Sequence, residues 1–198
     1  MNRGVALLWF TAVGCVLVFA RGDSGAYSRA LAVARGLGVV SLGSLALALC
    51  VTPLARGLLA LGRTLPHATR LRRALGLAAA GSGLLHALCA IAQSPLRLAE
   101  QLEEPALRWG LGALLVLCAL GVTSFSAVLR RLRLSTWKEL HRLAYVAFGC
   151  GVVHALLMPF AWTLPLLGVS AFALVFGLLR LLPPRTRATS TRARAVDP

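Results

Sequence analysis

His86 and His154 are the residues best placed to do chemistry in this 198-residue chain. His86 stands in the apolar run LGLAAAGSGLLHALCAIA, and His154 in the run from Trp137 to Met158, WKELHRLAYVAFGCGVVHALLM, which also carries His141. An imidazole inside a hydrocarbon layer is expensive to bury, so it marks a functional site by default. The fourth histidine, His67, falls in the basic loop RTLPHATR. Depth follows from a helical rise of about 1.5 Å per residue if both runs cross a bilayer in the same direction. His86 lies 15 residues beyond Leu71, about 22 Å in, and His154 lies 17 residues beyond Trp137, about 25 Å in. Two neutral imidazoles at one depth on parallel helices can supply both axial ligands of a single haem iron.

His141 sits about 20 Å nearer the opposite face. At its depth on the His86 helix the chain has Arg72 and Arg73, which stay protonated and make poor iron ligands. These arginines suit a haem propionate, a flavin phosphate or a lipid headgroup, or they simply anchor a helix end at the interface. On a straight helix the 13-residue spacing turns His154 about 220° away from His141. Sharing a face would then need a π-bulge, easiest at Gly149 and Gly151; otherwise His141 faces elsewhere.

The elements that must position these side chains are membrane helices. With 58% hydrophobic and 14% charged residues, the chain is too apolar for a soluble domain. Six stretches approach the ~20 residues that span a bilayer: Val5–Ala20, Gly36–Leu54, Leu75–Ala92, Leu107–Leu129, Leu140–Met158 and Leu164–Leu182. The first lacks a small-x-small cleavage site after Ala20 and reads as a span, not a signal peptide. The reading is an all-α membrane protein, a six-helix bundle over residues 1–184, with 185–198 a disordered, basic cytoplasmic tail. The third span is crowded with small residues from Gly76 to Gly83, which fit close helix packing and would equally leave space beside a flat macrocycle. The loop RGDSGAYSRA reads as turn-rich, and QSPLRLAEQLEEPALRW as a short interfacial helix.

The net charge of +15 punctuates the apolar runs and forms no single basic face, which argues against nucleic acid. Of the 21 Lys and Arg, 16 fall on one side of the six spans and five on the other, so both termini are expected in the cytoplasm. The five cysteines lie in five different apolar runs with no C-x-x-C pair, which indicates neither a disulfide framework nor a zinc site.

These motifs resemble the ferric-reductase-like transmembrane superfamily, and within it the haem-binding membrane subunits of bacterial periplasmic methionine-sulfoxide reductase systems. The matching strings are VTPL (Val51–Leu54), RRALGL (Arg72–Leu77), His86, LGVTS (Leu120–Ser124) and WKELHRLAY followed by His154. The resemblance runs from Gly36 to Met158, and the Trp-Lys-x-Leu-His-Arg-Leu-x-Tyr string is its most specific part. It implies a multi-pass protein of the bacterial inner membrane that carries haem b and admits FMN beside it. By the same resemblance, electrons pass from a cytoplasmic flavin reductase or membrane quinol to a periplasmic molybdopterin reductase subunit. His86 and His154 then correspond to the haem ligands and His141 to the third family histidine. Where two-haem relatives have a second histidine on span three, this chain has Arg72 and Arg73, which argues against a second haem. Two rival readings stay open: a related cytochrome b that reduces a metal or quinone directly, and a haem-free transporter or assembly protein. The charge asymmetry predicts that a C-terminal reporter is active in the cytoplasm, and activity confined to the periplasm would refute that topology.

Overall fold

The computed structural model describes residues 26–93 and 102–158, with the isolated residues 14 and 100. The first and last expected spans, Val5–Ala20 and Leu164–Leu182, and the tail 185–198 lie outside the described residues, apart from Gly14. Six helical elements follow in order: α1 (Ala26–Ala60), α2 (Ala68–Gln93), α3 (Pro105–Ser124), α4 (Ser126–Leu129), α5 (Leu134–Leu140) and α6 (Leu143–Leu157). No strand is present among the described residues. Among the described residues four stretches are long and apolar enough to cross a membrane: Arg29–Leu59, Ala68–Gln93, Pro105–Ser124 and Ser135–Leu157. They correspond to four of the six spans expected from sequence.

Helix α1 begins at Ala26 and absorbs AYSRA, the second half of the segment read as a turn-rich loop; residues 21–25 lie outside the described residues. Pro53 lies inside α1 without ending it, as membrane helices tolerate when neighbouring groups satisfy the backbone. The helix stops at Gly62, whose φ of 73° suits the left-handed position after a helix C-terminus. Gly62 N–H donates to the Leu59 carbonyl at 3.0 Å and Arg63 N–H to Leu58 at 2.8 Å, the paired bonds that close a Schellman motif. His67 also has positive φ, at 60°, and its carbonyl accepts from Leu71 N–H at the start of α2. Pro105 occupies the first turn of α3, where its missing N–H costs nothing.

Two breaks depart from the sequence reading. The span expected over Leu107–Leu129 ends at Ser124, because Phe125 is extended (φ −67°, ψ 140°). The helix containing His141 does not bulge at Gly149 and Gly151, which lie in regular α-helix. It breaks instead between Leu140 and Leu143. There Arg142, Ala144 and Tyr145 each bond the carbonyl three residues back, a tightening of the helix in place of the wider π turn.

Small residues bring the helices together. Ser41 of α1 donates to the Ala79 carbonyl of α2 at 2.8 Å, and Ser82 is fully buried beside it. A Cβ on Gly83 would stand 2.9 Å from Ser41 Oγ, and one on Gly121 of α3 would stand 3.5 Å from Ala80 Cβ. Ala79, Ser82 and Gly83 of the small-residue run thus serve helix packing. A shared core takes Leu45 and Leu49 from α1, Ala79 from α2, Leu117 and Leu120 from α3, and Ala144 and Ala147 from α6. Leu88, Leu115, Val122 and Leu157 expose more than half of their surface, as side chains facing lipid tails do.

Because Ser41 is already committed to Ala79, Gly83→Ala should destabilise the bundle by about 1–3 kcal/mol, the usual cost of overpacking. Gly81→Ala, with nothing within 4 Å of the added methyl, should be neutral. Thermal unfolding of both variants in detergent distinguishes them, and equal stability would refute this account of the α1–α2 contact.

Candidate functional site

The two membrane histidines meet. His86 on α2 and His154 on α6 have ring centroids 6.1 Å apart, with planes inclined by 68°. Each ring is tied to a third helix by a similar bond. His86 Nδ1 lies 2.6 Å from the Ala34 carbonyl of α1, and His154 Nδ1 lies 2.7 Å from the Ala106 carbonyl of α3. A carbonyl only accepts, so Nδ1 carries the proton in both rings and donates it. In the neutral tautomer that leaves the Nε2 lone pair available on each. Among the described residues neither Nε2 has a hydrogen-bond partner.

Two such Nε2 lone pairs could hold one metal between the rings. Two imidazole nitrogens bound on opposite sides of one metal, at about 2.0–2.1 Å each, place the ring centroids roughly 6 Å apart. No group of three or more His, Cys, Asp and Glu able to hold a metal occurs among the described residues. The pair therefore suits a metal that brings its other ligands with it, as a macrocycle does, and the residues fit a haem.

The other predicted residues gather toward the Ser124 end of α3, opposite the Ala106 end that holds His154. His141 caps the C-terminal end of α5, with Nδ1 3.0 Å from the Trp137 carbonyl and Nε2 3.3 Å from Ser124 Oγ at the end of α3. The Trp137 and His141 rings stack with centroids 4.1 Å apart. Arg72 donates from Nη1 to Thr52 Oγ1 at 3.2 Å and lies within electrostatic range of His141. Arg73 is exposed. Trp137 Nε1 is buried without a hydrogen-bond partner among the described residues. Unlike the other pair, His141 has both ring nitrogens engaged. His141 and His154 both reach α3, at its opposite ends, because the break after Leu140 reorients the chain between them.

The structure thus brings His86 to His154, and Arg72 toward His141, and keeps the two groups apart. Four sequence strings singled out above, VTPL, RRALGL, LGVTS and WKELHRLAY, converge on the His141 end through Thr52, Arg72, Ser124 and Trp137. Sequence reasoning did not find the Ala34 and Ala106 carbonyls or the glycines beside them. Both sites share an Ala-x-x-x-Gly spacing, Ala34 to Gly38 and Ala106 to Gly110, but the same spacing recurs at Ala32–Gly36, Ala79–Gly83 and Ala147–Gly151 and so does not single them out.

Residues 37–152 match the family described as ferric reductase like transmembrane component, more than half of the chain. The chain belongs to the ferric-reductase-like transmembrane family. Within that family it is similar to proteins named protein-methionine-sulfoxide reductase heme-binding subunit MsrQ. The relative from Rhodospirillum rubrum is 37% identical over 196 residues, 94% of this chain and 87% of its own length. That from Azospira oryzae is 35% identical over 153 residues, 75% of this chain, and that from Deinococcus radiodurans 36% over 127 residues, 59% of this chain. The chain spans 63% and 60% of the length of these last two relatives. It is placed with the MsrQ group of ferric-reductase-like proteins, and its apolar helices make it a multi-pass membrane protein.

Proposed function

We propose that this chain is a haem-b-carrying electron-transfer subunit of a bacterial inner membrane, folded as six spans over residues 1–184 with both termini cytoplasmic. Its partner is a periplasmic molybdopterin reductase subunit acting on methionine sulfoxide, and its donor is a cytoplasmic flavin reductase or a membrane quinol. The observation that carries this reading is the His86–His154 pair, 6.1 Å apart, with both Nδ1 atoms tied to backbone carbonyls.

In this reading His86 and His154 hold the iron from two helices through Nε2, while the carbonyls of Ala34 and Ala106 fix the tautomer and orientation of each ring. The haem, when bound, supplies reversible one-electron transfer. Held by two imidazoles, the haem would serve as a relay, with the chemistry done by a partner. The apolar helices around the pair exclude water from it. At the other end, His141, Arg72 and Arg73 form the entry region. The positive charge of Arg72 and Arg73 favours a phosphate, as in FMN, or an acidic donor surface, and the Trp137 N–H, buried without a partner among the described residues, is a donor for an oxygen acceptor. The basic cytoplasmic loops also sit against anionic lipid headgroups.

A histidine panel tests this. His86→Ala and His154→Ala should each lose most bound haem, and His67→Ala should lose none. His141→Ala and Arg72→Ala should keep the haem and its full reduction by dithionite, yet slow its reduction by the cytoplasmic donor. Full low-spin haem in His86→Ala would overturn the ligand assignment, whereas unchanged donor rates in His141→Ala and Arg72→Ala would leave that end a lipid anchor only.

A further inference from the structure

Ala34 and Ala106 are not equivalent to other helix carbonyls, and the reason lies four residues further on. In an α-helix the carbonyl of residue i already accepts from the N–H of residue i+4. Side chains lean back toward the N-terminus, so the Cβ of residue i+4 lies over the approach to that carbonyl. A second donor from another helix approaches the oxygen more freely where residue i+4 has no side chain, although Gln93 Nε2 also reaches the Ala30 carbonyl, four residues before Ala34, at 3.1 Å. Residue i+4 is Gly38 for Ala34 and Gly110 for Ala106. Each carbonyl then serves both its own helix and one imidazole, which its two lone pairs allow.

The contact distances show how completely the rings use that space. A Cβ on Gly38 would stand 3.1 Å from His86 Nδ1 and 3.2 Å from its Cε1. A Cβ on Gly110 would stand 2.9 Å from His154 Nδ1 and 3.0 Å from its Cε1. Ordinary van der Waals contact begins near 3.4 Å, and real Cβ atoms essentially never approach under 3.0 Å, so a methyl at Gly110 forces a shift and one at Gly38 makes the ring give by a few tenths of an ångström. Not every glycine of these helices is used in this way, because a Cβ on Gly43 of α1 or on Gly112 of α3 would meet nothing within 4 Å. An imidazole is seated so twice, once in the α1–α2 hairpin and once where α3 packs on α6, and Gly83 opens the Ala79 carbonyl to Ser41 Oγ in the same manner.

We propose that Gly38 and Gly110 are matched positioning residues, each uncovering the carbonyl four residues before it and fixing the plane and tautomer of one haem-ligating imidazole. The proposal rests on the haem reading given above. It adds that the inclination between the two ring planes, 68°, is set by these two glycine seats. A methyl at either position must push the ring off its seat and lengthen the Nδ1 bond, tilting the ligand and removing the carbonyl that raises its basicity. Gly110→Ala should act more strongly than Gly38→Ala, since its contact is the closer.

The test uses the full chain purified in detergent, with Gly43→Ala and Gly112→Ala as controls on the same helices. Haem content, midpoint potential and the low-spin electron paramagnetic resonance signal are measured; the last reports the angle between axial ring planes. Loss of a partner to a metal-bound histidine typically weakens affinity roughly 10–100-fold. Gly38→Ala and Gly110→Ala should therefore bind haem roughly tenfold or more weakly, and retained haem should show a shifted signal and potential. Both controls should match the parent. A second measurement covers a variant that fails to load haem: in the haem-free protein, histidine 15N shifts should report Nδ1–H on His86 and His154. Gly38→Ala should then disturb only His86, and Gly110→Ala only His154. Seat variants that match the controls in haem content, signal, potential and 15N shifts would overturn the proposal. A parent protein without histidine-ligated haem would instead overturn the haem reading, and the 15N shifts would still decide whether the glycines seat the rings.

Discussion

The constraint on which the rest depends is that hydrocarbon offers no partner for a buried polar group. An imidazole held among membrane helices must find a hydrogen bond inside the protein, and a helix carbonyl can accept a second one beside its own helical bond. His86 and His154 solve this by reaching carbonyls on two other helices, Ala34 of α1 at 2.6 Å and Ala106 of α3 at 2.7 Å. That satisfaction of one nitrogen has a chemical consequence: the proton is confined to Nδ1, and Nε2 is left as a lone-pair donor. The same requirement that keeps the ring stable in the membrane thus prepares it as a ligand. His141 meets the requirement differently, through Trp137 and Ser124, and uses both of its nitrogens.

Much of this was legible in the sequence, for physical reasons that can be named. The four described spans stand out because the length of an apolar run is fixed by bilayer thickness. The meeting of His86 and His154 was legible because helical rise converts residue count directly into depth. The arithmetic needed only a common reference surface, supplied by the basic residues before each span. What failed was angle. Depth tolerates a local change in hydrogen-bond register, but rotation about the axis accumulates it. The tightened turns after Leu140 therefore invalidated the straight-helix estimate and the π-bulge at Gly149 and Gly151 that went with it. Hydropathy carries no trace of such a change, nor of the extended Phe125 that cuts the third described span short.

The glycine seats were hidden for a different reason. Small residues at four-residue spacing are the ordinary means by which membrane helices approach one another, and in this chain they do that too, at Gly83 against Ser41. Nothing in the sequence separates a glycine that admits a neighbouring helix from one that admits a ring. Only the contacts made by Gly38 and Gly110, set against the open surroundings of Gly43 and Gly112, divide the two uses. The division of the bundle into two ends is similar. The most specific sequence string surrounds His141, yet the ligand-ready pair lies at the opposite end, in runs that look like plain hydrophobic spans.

The most direct measurement is the low-temperature electron paramagnetic resonance spectrum of the oxidised, purified protein, taken with haem quantification. The account predicts a low-spin, six-coordinate haem with two nitrogen axial ligands and strongly inclined ring planes, at about one per chain. A five-coordinate high-spin spectrum, or protein that folds and purifies without haem, would contradict it.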